Sequence, residues 1–430
     1  MLRPLRIRDF ALLWTGLTVS LLGDGIFFVA IAWQVFELSD SPTTFGLVSA
    51  AWSLPLVIFV LAGGVATDRF DRRKVMIGAD VTRGVAVLAM GALTLSGDIE
   101  IWHLIALSVV YGTGQAFFGP ALGAIVPDIV PPHLLVEANS LDNVMRPAGE
   151  RLIGPAVGGF LVAFAGAGAA FLVDAASFAF SAIVIGLIKP RPLTPTDQPR
   201  SAAREVKEGF AYVRSKPWLW VTLLSAAFGL LFALGPFQVL VPYLIKYELG
   251  GGAEDVGFMF AAGGVGAILA AIVMGQRDLP RRHITVMFLA WAAAFGSLVV
   301  YAALGSLWQV FVVEFFAWGL FTIGIIVWST LLHSLVPQRL LGRVTSFDWL
   351  VSASLFPLSF ALCGPVSEWI GLDETFLLGG VVSGLIGAAA LFAPGVRDTE
   401  DPEVFEQARR EKQALSPLME SSSDGSDGAP

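Results

Sequence analysis

Three carboxylic acids lie where an ionised group is costly. Asp24 falls about midway along an apolar run and is flanked by Gly23 and Gly25, while Asp174 and Glu314 lie inside two further apolar runs. A charge at the centre of a membrane helix costs roughly 2.5–3.5 kcal/mol on insertion scales, so such a side chain is expected to face an interior cavity. A carboxylate there is relieved by taking up a proton or by holding a cation, and exchange between the two is the chemistry these residues offer. The plainer reading, a hydrogen bond that ties helices together, stays open for each. Phe27, Phe28 and Trp33 near Asp24 would line an apolar pocket or simply pack in the interior.

Other charged residues group by spacing. The run Gly64-Val-Ala-Thr-Asp68-Arg69-Phe-Asp71-Arg72-Arg73-Lys74 places a carboxylate beside several guanidinium groups at the end of an apolar stretch. Gly64 would let a neighbouring helix approach closely, and Asp68 would pair with Arg69 or Arg72. Such a cluster can latch two helices at one membrane face. Arg146 and Glu150 stand four apart, with Arg151 adjacent, and Asp80 and Arg83 stand three apart. Both spacings suit ion pairs along one helix face. The four histidines (103, 133, 283 and 333) are scattered, and the single cysteine, Cys363, excludes an internal disulfide framework and a Cys-based metal cluster. No nucleotide-binding loop, metal-ligand spacing or grouped catalytic residues are found. No cofactor, metal or nucleic-acid partner is expected, and an enzyme is disfavoured.

The elements carrying these residues are membrane helices. The chain has 430 residues, 55% hydrophobic and only 14% charged, with a mean hydropathy of +0.73. A soluble domain carries roughly 25% charged residues. Residues 101–127, 217–245, 256–276 and 284–313 contain no Asp, Glu, Lys or Arg, and about 20 apolar residues suffice to span a bilayer. Apolar windows predict twelve helices near 10–36, 43–67, 75–96, 101–122, 141–165, 168–188, 218–246, 255–275, 284–304, 307–332, 344–369 and 374–393, the turn at Gly166 being the weakest division. Basic residues recur at every second connection. Arg3, Arg6 and Arg8, then Arg69 to Lys74, Lys189 to Lys216, Arg277 to Arg282, and Arg339 with Arg343 would all lie inside, leaving Lys246 outside. The positive-inside rule therefore predicts a multi-pass protein with both termini cytoplasmic. The first helix is expected to serve as the insertion signal.

The domain plan reads as a six-helix half (1–188), a cytoplasmic linker (189–217), a second six-helix half (218–394) and a disordered acidic tail (395–430). In the linker, a proline-rich run precedes an amphipathic segment from Ser201 to Arg214, with Val206, Phe210 and Val213 on one face, suited to the membrane surface. The tail holds nine acidic and four basic residues and supplies most of the net charge of −8. An internal repeat supports two halves. Val126-Pro127 recurs as Val336-Pro337, Gly154-Pro155 as Gly364-Pro365, and Gly114 as Gly324, all at an offset of 210.

These motifs resemble a known superfamily. The run from Gly64 to Lys74 resembles the loop signature of the major facilitator superfamily, with Asp71 in place of the usual glycine; its second-half counterpart from Gly275 to Arg282 is degenerate. Gly154-Pro155-Ala-Val-Gly158-Gly159 is similar to the helix 5 signature of that superfamily's drug:proton antiporters, although Glu150 stands where a further glycine would be. Pro155 would kink the helix, and Gly154 and Gly158 would admit a neighbour. Arg8 to Trp14, Leu22-Gly-Asp24, Gly114 to Ala121, Val126-Pro-Asp128, Ala138-Asn-Ser140 and Gly342-Arg-Val344 extend the resemblance to the third antiporter branch, which includes macrolide-efflux proteins and the enterobactin exporter. An arginine that some branches use in helix 4 is missing, leaving His103 as the titratable residue there.

The resemblance implies the major facilitator fold, all-α with twelve transmembrane helices in two six-helix halves. It implies a plasma-membrane exporter of amphiphilic small molecules driven by protons, acting as a monomer. Asp24, Asp174 and Glu314 are the candidates for coupling or substrate binding, with Asp128 as a further partner of the loop arginines. Uptake of a metabolite or translocation of lipid on the same fold is the alternative. A transporter-like receptor would be expected to carry a folded soluble domain.

Overall fold

The computed structural model describes residues 2–190 and 202–414. The linker basic residues Arg191 and Arg200 and the tail from 415 onward therefore lie outside the described residues. The described chain is helical throughout, and eleven apolar stretches are long enough to cross a bilayer. One of them, Pro132–Gly186, runs 55 residues and folds back on itself at Gly166, whose φ of 81° is open to glycine but costly for other residues. That hairpin makes twelve crossings among the described residues.

In chain order the helices are α1 (Arg8–Leu38), α2 (Pro42–Arg69), α3 (Arg72–Ser96), α4 (Ile101–Ile129), α5 (Leu135–Pro147) and α6 (Gly154–Gly186), then α7 (Ala202–Ser215) in the linker. The second half holds α8 (Pro217–Gly235), α9 (Val241–Tyr243), α10 (Ala253–Gly275), α11 (His283–Gly296), α12 (Leu298–Tyr301), α13 (Leu307–Leu335), α14 (Gln338–Ser354), α15 (Phe356–Ile370) and α16 (Leu372–Ala390), followed by α17 (Pro402–Ala414). A wide π-helical turn, Ala148–Ile153, joins α5 to α6. Pro155 has no N–H to give to the helix, and the widened turn just before it absorbs that break.

In the first half α1 packs along both arms of α6, α3 lies on α4 and α6, and α2 lies on α4. In the second, α13 packs on α10 and α11, and α16 on α8 and α11. The halves meet where α2 runs along α15 and where α10 runs along α6. The repeat is visible in place. α4 and α13 are each 29 residues long and end next to Val126-Pro127 and Val336-Pro337. Large apolar side chains cover the outside, among them Phe164 at 87% exposed, Phe392 and Leu385. Water would not tolerate so apolar an exterior; a lipid bilayer requires it.

Hydrogen bonds join the halves at the face opposite the chain ends. Lys246 Nζ donates to the carbonyl of Phe36 (2.7 Å), Tyr247 Oη to Asp40 Oδ1 (2.7 Å) and Ser41 Oγ to Glu368 Oε1 (2.5 Å). Lys246, the lone basic residue expected on that side, also lies over the rings of Trp33, Phe36 and Tyr247.

One expectation needs correction. The acidic tail is not disordered from Gly395. Val396 is fully buried, Thr399 Oγ1 lies 3.1 Å from His283 Nε2, and Glu400 accepts from the N–H and hydroxyl of Thr285 (2.6 and 3.1 Å). Phe405 packs its ring against His283, and Lys412 donates to the carbonyl of His333. The acidic composition concealed these few anchoring residues. One edge of α7 docks on α14, with Val213 buried, Phe210 edge-on to Phe347 at 5.8 Å while staying half exposed, and Glu208 paired with Arg343.

Candidate functional site

Asp24 is buried in the middle of α1, and its partners come from two other helices. The Tyr111 hydroxyl of α4 donates to Asp24 Oδ1 at 2.6 Å, and Arg83 Nη1 of α3 stands 3.8 Å from Oδ2. Arg83 also bonds Asp80 Oδ1 at 2.5 Å and Gln115 Oε1 at 2.6 Å. Its guanidinium lies between the rings of Phe118 and Phe178, 4.5 and 4.4 Å from their centroids. The Asp80–Arg83 pair expected along one helix is thus part of the Asp24 site.

Asp174 completes the cluster. It lies across Gly23 from Asp24, so close that a methyl group on Gly23 would stand 2.2 Å from Asp174 Oδ1. Ser177 donates to that same oxygen at 3.1 Å. Asp80 and Asp174 are 0% exposed. Asp80 Oδ2, Asp174 Oδ2 and Arg83 Nε make no hydrogen bond. Asp24 and Asp80 therefore share the Arg83 guanidinium in a buried interior with Asp174 close by, where an excess of negative charge is heavily penalised. The arrangement can hold protons or a cation.

Glu314 forms a separate site in the second half. It is buried in α13, accepts from the Tyr301 hydroxyl at 2.9 Å and leaves Oε2 unbonded. The opposing charge is Arg151, which reaches over from the π-turn and lies with its guanidinium 3.5 Å from the centre of the Trp318 ring. The neighbouring residue, Glu150, pairs at 3.0 Å with Arg146, which also contacts Asp142.

At the chain-end face, Arg72 pairs with Asp128 and bonds the Ala124 carbonyl at 3.1 Å, while Arg73 caps the end of α6 through the carbonyls of Gly186 and Ile188. Asp68 is exposed and makes none of these bonds, so the expected Asp68–Arg72 pair is replaced by Arg72–Asp128. Asp71, standing where glycine is usual, caps α3 by accepting from the Arg73 N–H at 3.0 Å. Arg69 is exposed beside it. Gly64 faces open space; the close approach expected there occurs at Gly63, which meets the Ala116 carbonyl of α4.

The glycines of the helix 5 motif divide their work. Gly154 and Gly158 lie against Leu22, Gly25 and Ile26 of α1, whereas Gly159 meets Ala253 and Gly257 of α10 in the other half. Phe27 stacks on Tyr111 at 4.5 Å and belongs to the interior rather than to an open pocket. His103 accepts from the Glu100 N–H at 3.1 Å and helps cap α4.

The sequence reading missed Tyr111, Gln115, Arg151 and Trp318 as site residues. A signal for the first two existed. Tyr111, Gln115 and Phe118 recur at helical spacing in a stretch otherwise free of charge, which marks one face of α4 for a polar partner.

A twelve-crossing helical bundle with ionisable groups buried inside each half has the build of a membrane transporter, and the family it belongs to is one of transporters, not enzymes. The chain belongs to the transmembrane secretion effector family of the major facilitator superfamily, whose family model matches residues 1–424. It is 28% identical to the uncharacterised MFS-type transporter YfiS of Bacillus subtilis (strain 168) over 402 residues, 89% of this chain and 92% of that one. It is 27% identical to the multidrug efflux pump Tap of Mycolicibacterium fortuitum over 413 residues (92% and 97%). It is 25% identical to macrolide efflux protein A of Streptococcus pyogenes over 395 residues (90% and 96%). Two solved structures share the fold. A bacterial homologue of the human lysosomal transporter Spinster, inward-facing and unoccupied, superposes with a TM-score of 0.63 at 17% identity, covering 96% of both chains. A mutant of the nucleoside transporter NupG superposes with a TM-score of 0.67 at 10% identity, covering 90% of this chain and 99% of that one.

Proposed function

We propose that this protein is a proton-driven antiporter that exports amphiphilic small molecules from the cell by alternating access between its two halves. The observation that carries the reading is the excess of carboxyl groups around Arg83. Asp24, Asp80 and Asp174 lie together around the buried Arg83 guanidinium, and a proton held by one of them relieves the excess of negative charge. Release of that proton and entry of a cation or dipole are then competing events, which is what exchange requires. The efflux pumps among its relatives support the outward direction.

An apolar groove of about 440 Å³ on the flank of α1 and α6 supports a cargo that partitions into the bilayer. Val157, Val173 and Phe180 on its rim are each substantially exposed, and Ser177 at its floor bonds Asp174. The distribution of basic residues supports a plasma-membrane orientation with both termini in the cytoplasm. The hydrogen bonds of Lys246, Tyr247 and Ser41 would then close the external side. Residues 1–188 and 218–394 act as the two moving bodies. Asp24, Asp174 and Glu314 are the coupling candidates, and the Arg72–Asp128 pair belongs to the cytoplasmic gate.

The test uses purified protein in proteoliposomes with an imposed pH gradient and a panel of cationic and neutral amphiphilic dyes. Dye movement that follows the gradient and releases protons supports the reading. Dye movement indifferent to the gradient, or proton-driven accumulation in the uptake direction, would overturn it.

A further inference from the structure

Arg151 occupies an unusual place. Its backbone is pressed against α10, where a methyl group on Gly264 would stand 3.0 Å from the Arg151 carbonyl carbon. Its side chain leaves the first half and lies flat over Trp318 of the second, 3.5 Å from the ring centre. Trp318 follows Glu314 by four residues in α13, so the ring and the carboxylate share a face. Phe321 stands edge-on to the same indole at 5.4 Å, and Gly263 of α10 leaves the space that its ring edge fills. Glu314 is 1% exposed and keeps Oε2 without a hydrogen bond.

An aromatic face beside a buried, half-satisfied carboxylate is the chemistry that recognises organic cations, for which ring and charge act together. The guanidinium is itself a planar, delocalised and weakly hydrated cation. We propose that Trp318 and Glu314 form a binding site for planar delocalised organic cations, and that Arg151 occupies it as an internal stand-in which the substrate displaces. The inference rests on the export reading, since it names a substrate class for that carrier.

The geometry also ties loading to switching. Arg151 belongs to one half and its seat to the other, so the contact is a cross-link between the halves. A substrate that takes the seat removes it. The π-turn that carries Arg151 also presents Glu150 to Arg146, and it packs on α1, where Gly25, next to Asp24, meets the Gly149 carbonyl. The freed π-turn thus connects the cation seat with the cluster around Arg83.

The test is equilibrium binding of ethidium, a planar delocalised cation, to the full-length protein in lipid nanodiscs, read by fluorescence. A site blocked by its own side chain binds more weakly by the fraction of time it stands open. Arg151→Leu is therefore expected to bind ethidium about tenfold more tightly if Arg151 fills the seat nine-tenths of the time. Trp318→Leu is expected to abolish binding, Trp318→Phe to retain part of it, and Glu314→Gln to weaken ethidium while sparing a neutral dye. Arg151→Lys, which keeps the charge but lacks the flat stacking surface, should fall between wild type and Arg151→Leu. Unchanged or weaker ethidium binding by a folded Arg151→Leu protein would overturn the stand-in role, as would wild-type affinity in Trp318→Leu. Elution and thermal melting in the same nanodiscs establish that each variant is folded. Proton release at the Arg83 cluster, measured separately, keeps the wider export reading distinguishable. Gradient-driven movement of other dyes with no ethidium site overturns this inference alone.

Discussion

Arg83 and Asp24, on different helices, stand 3.8 Å apart with Tyr111 holding the other carboxylate oxygen. That relationship makes Asp24 one member of a shared protonation site rather than an isolated acid. Asn at position 24 keeps the size and can still accept from Tyr111, but it cannot take up or release a proton. Asp24→Asn is expected to insert normally and to lose dye movement driven by a pH gradient, while counterflow exchange of substrate persists. Full pH-driven efflux by this variant in proteoliposomes would falsify the assignment and move attention to Asp174 or Glu314.

Arg83 is expected to matter more for folding than any of its carboxylate partners. Its removal takes the ion-pair partner from two buried acids, Asp24 and Asp80, and breaking a buried pair from one side costs about 3–5 kcal/mol. Arg83→Leu should lower the melting temperature sharply, and Arg83→Leu combined with Asp80→Leu should recover part of the loss. A double variant no more stable than the single one would show that Asp80 is not its stabilising partner.

The Arg72–Asp128 pair predicts an asymmetry within the loop cluster. Asp128→Asn leaves Arg72 with the Ala124 carbonyl alone and is expected to slow turnover with little change in substrate affinity. Asp68→Asn, which removes no contact seen here, should be milder. Equal and severe effects from both, measured as transport rate against binding, would place Asp68 in a contact made only after the carrier switches.

Lys246 donates to a carbonyl in the last turn of α1, where a cation also meets the negative end of the helix dipole. That interaction is worth about 0.3–1 kcal/mol at a helix terminus. Replacement by Met should shift the balance toward the state open on that face, by up to about fivefold. Spin labels placed on the α1–α2 and α15–α16 connections report the change as a longer distance population. An unaltered distribution would assign the contact no part in closing that face.

The segment from Val396 to Ala414 is expected to be needed for stability. Truncation after Pro394 exposes His283 and Thr285, whereas truncation after Ala414 keeps every contact described. Only the first should destabilise the protein in a melting assay. Burial opposes the ionised form of Glu400, but hydrogen bonds from the Thr285 N–H, Arg397 and the Thr285 hydroxyl outweigh it and hold its carboxyl below the ordinary glutamate range. A lowered value in the folded state means that the contact contributes fully above that range and is lost as pH falls through the lower, folded value. Protection of α17 amides, taken relative to the intrinsic exchange rate at each pH, should therefore fall on acidification in the wild type, and already be low at neutral pH in Glu400→Gln. Protection that ignores both changes would show that the apolar contacts of Val396 and Phe405 suffice.

The twelve helices, the repeat and the acids worth suspecting were legible because a bilayer imposes its rule on each segment separately. A stretch must be apolar and long enough, and a charge inside it must answer to something. Which charge answers to which is not a property of any segment. Asp80 and Arg83 satisfied the spacing of a local pair, yet only the packing of α4 on α3, and of α1 and α3 on α6, brought Asp24 and Gln115 to the same guanidinium and Tyr111 to Asp24. Asp68 had the right distance along the chain for Arg72, and Asp128 took the place because α4 ends beside the start of α3. Arg151 could not be placed by periodicity. It sits in the π-turn before Pro155 with its guanidinium over Trp318 of the other half, and a one-residue widening of a helix leaves no mark on an apolar pattern.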